Sequence, residues 1–504
     1  MTGWRILLAA ALALLLSASG WKPDQPQLLA NPASPPGGSE KPQVTATPEP
    51  TEKTTPPQYR QLRLEFSPRL EEHELPAALD PRRVKIRIDS DTPGPAAETS
   101  RGTLAISVDF ADGGEATVTG PFQLDHRPLS LDSEKLALRA DALVPFLPQP
   151  LMWEGRANYD SKRLQVDGLL SLTPELKLEH RLLVPGGLAG SEAEIRLQET
   201  KLPFAPPPFL PPLMDGLNLP EPLPELESGL LTGQAKLTGQ EDGWQATGQL
   251  RLSGVDGIYQ TAFFKDLDLV MPFQVEEDWL ELTAVDLELW EFNPGIALGP
   301  AKARGSYRAS TARPGRGRLE VETLEAGFLG GRLWAEPFAI TPGQDDFPVN
   351  LRIEGLEMAR LLAVYPIPGL TGTGLIDGHL PLRRQEGKIS LTDGLLTARP
   401  PGGVISYDGK AAAALARRHP ALKLALDALS DFHYNALAAE ATYLEDGTLL
   451  LDLRLEGSNP QIERGRPILL EINIEENIPD LLAGLQLTNR ISDTIRQRIK
   501  ERYR

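Results

Sequence analysis

Hydrophobic and polar residues alternate along much of the chain, and the clearest case runs from Gly369 to Tyr407. Between Leu370 and Leu382, one side of a two-residue period holds leucine, isoleucine and glycine, whereas the other side holds mostly threonine, aspartate and histidine. A polar break at 383–387 and the Asp393-Gly394 pair predict turns between successive strands. This segment is therefore predicted to form an antiparallel meander with one apolar face.

The same alternation recurs on both sides of that segment. A hairpin is predicted across Asp242-Gly243, with both of its strands inside 231–254, and two more strands alternate near the end of the chain, at 449–455 and 468–474. Weaker strand patterns occur throughout 59–200. The predicted fold class is mostly β, an antiparallel sheet that is apolar on one side.

Glycines lie on the apolar side of the 370–382 strand, at Gly372, Gly374 and Gly378. Glycine weakens the interior of a strand unless the chain bends there or another group must approach closely. Two interpretations follow: either the sheet curves at these positions, or its apolar face holds a bound molecule.

Helical patterns are few, and they occur at 357–364, 411–418 and 420–429. Asn477 is predicted to cap a final helix whose apolar residues, from Ile478 to Ile499, repeat at three-to-four spacing. Basic residues near the C-terminal end of this amphipathic helix suit the helix dipole, and they also suit anionic lipid headgroups.

The chain is predicted to have four parts. Residues 1–20 contain an apolar run, Ile6 to Leu16, that is shorter than the roughly 20 residues of a membrane span and typical of a signal peptide or N-terminal anchor. Residues 21–58 form a proline-rich linker. Residues 59–227 form a first β segment that ends in a proline-rich loop, and 228–504 form a second β domain. That loop is interpreted either as a boundary or as a lid over the apolar face.

Composition narrows the function classes. The net charge is −18, with 51 basic and 69 acidic residues, so the field of the protein repels nucleic-acid phosphates and no nucleic-acid partner is predicted. The chain has no cysteine, which excludes disulfides, thiolate chemistry and an acylated lipoprotein. Export, which the N-terminal apolar run predicts, would therefore proceed without disulfide formation.

Motifs for catalysis or metal binding are absent from the sequence. The histidines are scattered singly without an HExxH pair, and no GxSxG or GxxxxGK[ST] pattern occurs. Gly372 and Gly374 begin a GxGxxG-like pattern, but Asp377 stands in the place of the third glycine. The chain is predicted not to be an enzyme, and no cofactor, catalytic residue or metal site is predicted.

Several phrases resemble the C-terminal region of the YdbH family. They include GLTGTGLIDGHLPL, DGLLTARPPGGVISY and GRPILLEINIEENIPDLLAGLQL, and upstream the Asn293-Pro294-Gly295-Ile296 and Gly305-Ser306-Tyr307 segments, so the resemblance covers roughly Ser228 to Leu487. This family is grouped with TamB and YhdP as AsmA-like bridges. The resemblance implies an elongated, curved β-groove, a half-pipe in the bacterial periplasm that carries phospholipid between inner and outer membranes.

The resemblance also implies membrane partners. It favours an uncleaved inner-membrane anchor at the N-terminus, and a small outer-membrane lipoprotein that adds strands at the C-terminal end of the sheet. The last predicted strand is accordingly interpreted as an edge that accepts a partner strand. The residues predicted at this edge are Ile468, Leu470, Ile472 and Ile474.

Two functions remain open from the residues themselves. A groove would shelter phospholipid acyl chains, whereas a structural or adhesive exported β-protein would fill the same apolar face with a dry core. Only 6% of residues are aromatic, and glycine recurs at inward positions, which favours the groove. The predicted groove-lining residues are Leu237, Trp244, Ala246, Gly248, Leu250, Leu252, Leu370, Gly372, Gly374, Ile376, Leu380, Leu451, Leu453 and Leu455.

Overall fold

The computed structural model of the protein describes most of the chain from Tyr59 to residue 487. The described residues are 59–66, 81–91, 99–110, 115–126, 129–141, 151–160, 162–185, 190–204, 223–240, 243–276, 278–341, 347–364, 366–385, 387–408, 426–462 and 464–487. The predicted signal or anchor, the linker, the helix at 411–418, most of the proline-rich loop and the basic end of the last helix lie outside these residues.

The chain divides into two compact units. Unit 1 comprises Met1–Ala193 with Pro207–Phe209, and unit 2 comprises Glu194–Pro206 with Leu210–Arg504. Both consist of antiparallel strands, so the predicted fold class, a mostly β and open antiparallel sheet, is confirmed.

Unit 1 is a meander in which each strand pairs with the next one along the chain. Sequential antiparallel pairing needs only short connections, which the alternating sequence with its intervening polar breaks provides. Its strands are β1 (Tyr59–Phe66), β2 (Pro81–Asp91), β3 (Thr99–Phe110), β4 (Glu115–His126), β5 (Leu129–Asp141), β6 (Leu151–Asp160), β7 (Arg163–Ser171) and β8 (Lys177–Val184).

The first half of unit 2 continues in the same manner with longer strands. β9 (Glu192–Lys201) begins at the end of unit 1 and pairs with β10, and each later strand pairs with its predecessor. These strands are β10 (Glu225–Gln240), β11 (Gly243–Tyr259), β12 (Ala262–Val275), β13 (Trp279–Asn293), β14 (Leu298–Ser310) and β15 (Arg313–Phe328).

The second half of unit 2 is less regular. Both β16 and β17 pair with β15, the sheet then continues through β18, β20, β21, β23, β24 and β25, and β22 joins β19 to β23. The strands are β16 (Gly331–Ala335), β17 (Phe338–Ile340), β18 (Phe347–Glu357), β19 (Leu370–Gly372), β20 (Leu375–Gln385), β21 (Lys388–Ala398), β22 (Gly403–Tyr407), β23 (Phe432–Tyr443), β24 (Thr448–Ser458) and β25 (Pro467–Asn477).

Short helices interrupt this half. The predicted helix near 357–364 is confirmed as α1 (Met358–Val364). Residues 426–429 and 478–487 are also helical. The side chain of Asn477 accepts a hydrogen bond from the Asp480 backbone N–H at 3.0 Å, so Asn477 caps the last helix as predicted.

The prediction of one continuous strand over 370–382 was wrong. The chain breaks at Thr373 and Gly374, where Gly374 has a φ of +119°, and this break separates β19 from β20. β19 pairs with β22, whereas β20 pairs with β18 and β21. A φ of +119° is accessible essentially only to glycine, and the glycine that the alternating pattern placed inside a strand is therefore the point where the strand ends.

Candidate functional site

The pairing register of unit 2 aligns apolar residues into rows that cross the sheet. Residues directly opposite each other on neighbouring strands project from the same face, so a chain of such pairs identifies one face. The first row crosses eight strands and consists of Leu252, Leu269, Leu287, Ala303, Leu324, Ala335, Leu351 and Leu380. We call the face that carries these residues the apolar face of unit 2.

A second row shows that the apolar face reaches the last strand. It consists of Leu333, Ile353, Gly378, Leu396, Ala439, Leu453 and Ile472. Leu333 lies two residues from Ala335 on β16, and the two rows therefore belong to one face.

Between β11 and β15 the middle of the apolar face is partly open to solvent, whereas Ala246, Val255 and Phe264 near the strand ends are buried. On β13, all five apolar residues that point to this face, Leu280, Leu282, Val285, Leu287 and Leu289, are partly exposed. Leu250 on β11 is 38% exposed and Leu324 on β15 is 39% exposed. A dry protein core buries leucines nearly completely. The residues that the structure describes therefore do not fill this part of the face.

The opposite face of the same strands carries paired charges. Asp286 on β13 receives a hydrogen bond from Arg304 on β14 at 2.7 Å, and Lys302 donates to Glu288 at 2.7 Å. The Arg304 guanidinium holds the pKa of Asp286 below its usual value. Strands β13 and β14 thus alternate between an apolar side and a charged side, which fixes their register.

Towards the end of unit 2, the apolar face is filled by the protein itself. A hydrophobic core lies beneath α1 and includes Ile353, Leu356, Met358, Ile376, Ile405, Phe432, Tyr434, Leu437 and Leu455. The buried Tyr434 hydroxyl donates to the Thr373 carbonyl at 2.7 Å, and burial raises the pKa of Tyr434. The open part of the face therefore ends against a packed core.

The structure places the first six predicted lining residues together on β10 and β11. Leu237 pairs directly with Ala246, and both are buried. Trp244 and Leu250 are each 38% exposed, whereas Gly248 and Leu252 are partly buried. These six residues share the apolar face through the β10–β11 register.

Seven other predicted lining residues lie in or against the packed core, and four of them are close to α1 or Tyr434. Gly372 lies below the Met358 and Leu362 side chains of α1, and Gly374 lies against the Tyr434 hydroxyl. Ile376 belongs to the core, and Leu370 packs against it. At Gly372 and Gly374, the group that approaches the glycine closely is a side chain of a neighbouring element, α1 or β23.

The remaining predicted residues lie on β20, β24 and β25. Leu380 is partly buried and pairs with Leu351. Leu451 and Leu453 are partly buried, whereas Leu455 is only 1% exposed. Leu455 belongs to the packed core, and Leu380 and Leu453 pack against it. On β25, Ile468, Leu470, Ile472 and Ile474 are opposite Gly457, Leu455, Leu453 and Leu451. Within the described part of unit 2, β24 is the one strand that pairs with β25, which leaves the other edge of β25 without a paired strand.

Aromatic side chains also cover the inward glycines of β11. The expectation that these glycines leave empty space on the apolar face is therefore not met. A side chain at Gly248 would meet the Phe273 ring, and one at Gly257 would meet the Phe264 ring. Aromatic residues that lie over a cross-strand glycine stabilise such sites. The open space on this face lies instead over small residues such as Ala301 and Ala303, next to leucines that are partly exposed.

The sequence interpretation missed the centre of the open face, on β12 to β15. Alternation on β13 changes phase at Ala284, which has a φ of +48° and lies in a register shift between Leu282 and Val285. Such a bulge moves all later side chains by one position. A search for two alternating half-strands joined by one extra residue would have found Leu280, Leu282, Leu287 and Leu289.

Among the residues that the structure describes, no group of three or more histidine and carboxylate side chains is arranged to hold a metal ion. Among the same residues, every helix falls short of the length and apolarity that a membrane crossing requires.

An open antiparallel sheet whose apolar face is partly exposed is consistent with a β-groove. Residues 55–500 match the sequence model of the family described as YdbH-like, intermembrane phospholipid transport protein YdbH. The chain therefore belongs to the YdbH-like family of intermembrane phospholipid transport proteins. The match begins well upstream of Ser228, so the family relationship includes unit 1 as well. Searches of curated proteins and of solved structures gave no match.

Proposed function

We propose that the open apolar face of unit 2 shelters the acyl chains of phospholipids on their way between the inner and outer membranes. The observation that carries this proposal is the partial exposure of every apolar inward residue on β13. Family membership supports phospholipid as the ligand and the cell envelope as the place of action.

The energetics favour such a shelter. Exposing an acyl chain of about 15 methylenes to water costs roughly 12 kcal/mol, at about 0.8 kcal/mol for each methylene. A lipid with two chains cannot cross an aqueous gap rapidly at that cost. A continuous row of leucines and alanines across the sheet would replace water at each step and needs no cofactor.

The alternative function is a structural or adhesive protein with a dry core. This alternative agrees with the buried parts of the chain but not with the open face. A dry core would bury Leu250 and Leu324 and would leave no large leucine 38% or 39% exposed at its centre. The core beneath α1 has the buried character that this alternative requires, but it covers only the end of the face.

A charge placed on the open face tests the proposal. We expect Leu250→Glu to reduce phospholipid transfer between donor and acceptor membranes by at least about tenfold, because a passing acyl chain must desolvate the carboxylate. Leu250 is already 38% exposed, so the variant should fold.

The matched control is Thr247→Glu, which lies on the opposite face of the same strand and is exposed. It adds the same charge and should leave transfer unchanged. Equal losses in the two variants at matched expression would contradict the assignment of the open face as the lipid path.

We further propose that the unpaired edge of β25 accepts a strand from a partner, such as a small outer-membrane lipoprotein. An uncovered edge presents free backbone groups that recruit a further strand. Photocrosslinkers at Glu471, Asn473 and Glu475 should give intermolecular products in intact cells. Exclusively intramolecular products would contradict this part of the proposal.

The N-terminal segment completes the proposed bridge. Residues 6–16 are proposed to direct export and to remain as an inner-membrane anchor, so the mature protein should retain Met1 or its neighbours. Mass spectrometry that finds a mature N-terminus near Trp21 would contradict the anchor.

A further inference from the structure

The tip of the β14–β15 hairpin, at the strand ends where the apolar face stops, carries four arginines, and Arg308 and Arg318 among them project from the charged face. Arg308, Arg313, Arg316 and Arg318 all lie in this hairpin, although the chain as a whole has a net charge of −18. Arg308 and Arg318 are direct cross-strand partners. Like charges that face each other across a hairpin are destabilising, so an anion at this tip would stabilise the arrangement.

Protein groups neutralise only part of this charge. The Arg308 guanidinium stacks over the Trp279 ring at 4.9 Å, and Arg318 pairs with Glu320 at 2.8 Å. Arg313 and Arg316 are exposed, and neither forms an ion pair with a carboxylate in the described part of the chain. Two guanidinium groups are therefore available for an external anion.

Tyr307 fixes the conformation of the hairpin tip. The Tyr307 hydroxyl donates to the Pro314 carbonyl at 2.5 Å and accepts from the Gly317 N–H at 2.8 Å. Tyr307 itself pairs with Leu282 and Leu319, which places its ring on the apolar face. One residue thus borders the open face and holds the loop that carries Arg313 and Arg316.

We propose that this tip binds the anionic phosphate headgroup of a phospholipid whose acyl chains lie on the open apolar face. The inference rests on the function proposed above and adds a preference for anionic lipids. Guanidinium groups match the oxygens of a phosphate in geometry and charge. Acyl chains beside Leu282 and Leu319 would bring the headgroup to the end of the hairpin, where the arginines are.

The test measures which lipids the full-length protein retains. The protein is incubated with vesicles of equal phosphatidylglycerol and phosphatidylcholine content and separated from them, and its bound lipids are quantified by mass spectrometry. We expect the wild type to retain phosphatidylglycerol over phosphatidylcholine by about fivefold, and Arg313→Gln/Arg316→Gln to retain both equally without loss of total bound lipid.

The control variant Lys302→Gln/Arg304→Gln removes the same two charges from the same hairpin. These two residues pair with Glu288 and Asp286 on the charged face, away from the tip, and the lipid preference should persist. An equal loss of preference in both double variants would show an effect of net charge alone and would overturn the proposal.

Further outcomes separate this proposal from its alternatives. A wild type that retains no lipid would contradict the proposed function, whereas one that retains both lipids equally would contradict only the headgroup site. If Arg313→Gln/Arg316→Gln lost association with anionic vesicles but kept the lipid preference, the tip would contact the bilayer surface instead. If excess inorganic phosphate abolished the preference, the site would be one for free phosphate.

Discussion

The apolar faces of the two units have the same sequence pattern but differ in burial. In unit 1, a row of directly paired residues runs from Ile86 through Ile106, Val118 and Leu138 to Trp153, and each is at most 9% exposed. In unit 2, the corresponding kind of row passes through Leu287, which is partly exposed, and Leu324, which is 39% exposed. Among the described residues, this row is buried in unit 1, whereas the row in unit 2 is partly exposed in the middle of the strands between β11 and β15.

The difference depends on a few bulky side chains. In unit 1, the Trp153 indole covers Gly155 and Gly168 on its own and the neighbouring strand, and its Nε1 donates to His180 Nε2 at 2.5 Å. In unit 2, the middle of β14 presents only Ala301, Ala303 and Gly305 to the face. Alternation shows which side is apolar, and the size of individual residues determines whether that side is covered.

The largest expected effect is the removal of the indole that fills unit 1. We expect Trp153→Ala to cost about 3–5 kcal/mol of stability, as is usual when a buried tryptophan or phenylalanine is truncated. Hydrogen exchange of β5 to β8 under mild denaturant would measure this cost. A loss below about 1 kcal/mol would show that unit 1 is not a packed core.

A matched pair of leucine truncations should separate the two faces. Leu138→Ala in unit 1 should cost about 2–4 kcal/mol because Leu138 is 6% exposed. Leu324→Ala in unit 2 should cost only about 1 kcal/mol, because much of its side chain already contacts water. Equal costs in denaturant unfolding would remove the distinction between a filled face and an open one.

The smallest expected effect is a pH dependence of unit 1 that arises from His180. Burial lowers the pKa of His180 below its ordinary value of 6.5, and the negative charge of Asp167 partly opposes this shift. As the pH falls below 6.5, the unfolded chain binds a proton before the folded chain does, so unit 1 loses stability. The loss continues until the pH reaches the lowered pKa of the folded state.

His180→Gln should weaken this acid sensitivity while keeping an acceptor for the Trp153 N–H. Unfolding of unit 1 is compared at pH 7.5 and pH 5.5 in the two proteins, and the difference between the two pH values should be smaller in the variant. An unchanged difference would mean that His180 is not buried as a neutral group.

The fold class and part of the apolar face of unit 2 could be predicted from the sequence. The predictions that failed did so for local structural reasons. The hairpin across Asp242-Gly243 and the cap at Asn477 follow from residue patterns that need no tertiary information. The extra residue at Ala284 interrupts the alternation on β13, so that strand was not predicted. The chain breaks at Gly374 although the residue pattern there alternates without interruption. Coverage of a glycine by an aromatic ring, as at Gly248 by Phe273, depends on register between strands and cannot be read from one strand alone.

The central claim, that phospholipid occupies the open face of unit 2, is tested most directly by crosslinking in living cells. Leu324 and Thr323 are adjacent on β15 and both exposed, but Leu324 pairs with Ala303 on the apolar face, whereas Thr323 pairs with Arg304 on the charged face. With a photocrosslinking residue at each position, phospholipid should attach to the protein at 324 and not at 323. Equal labelling at both positions, or none at 324, would contradict the account.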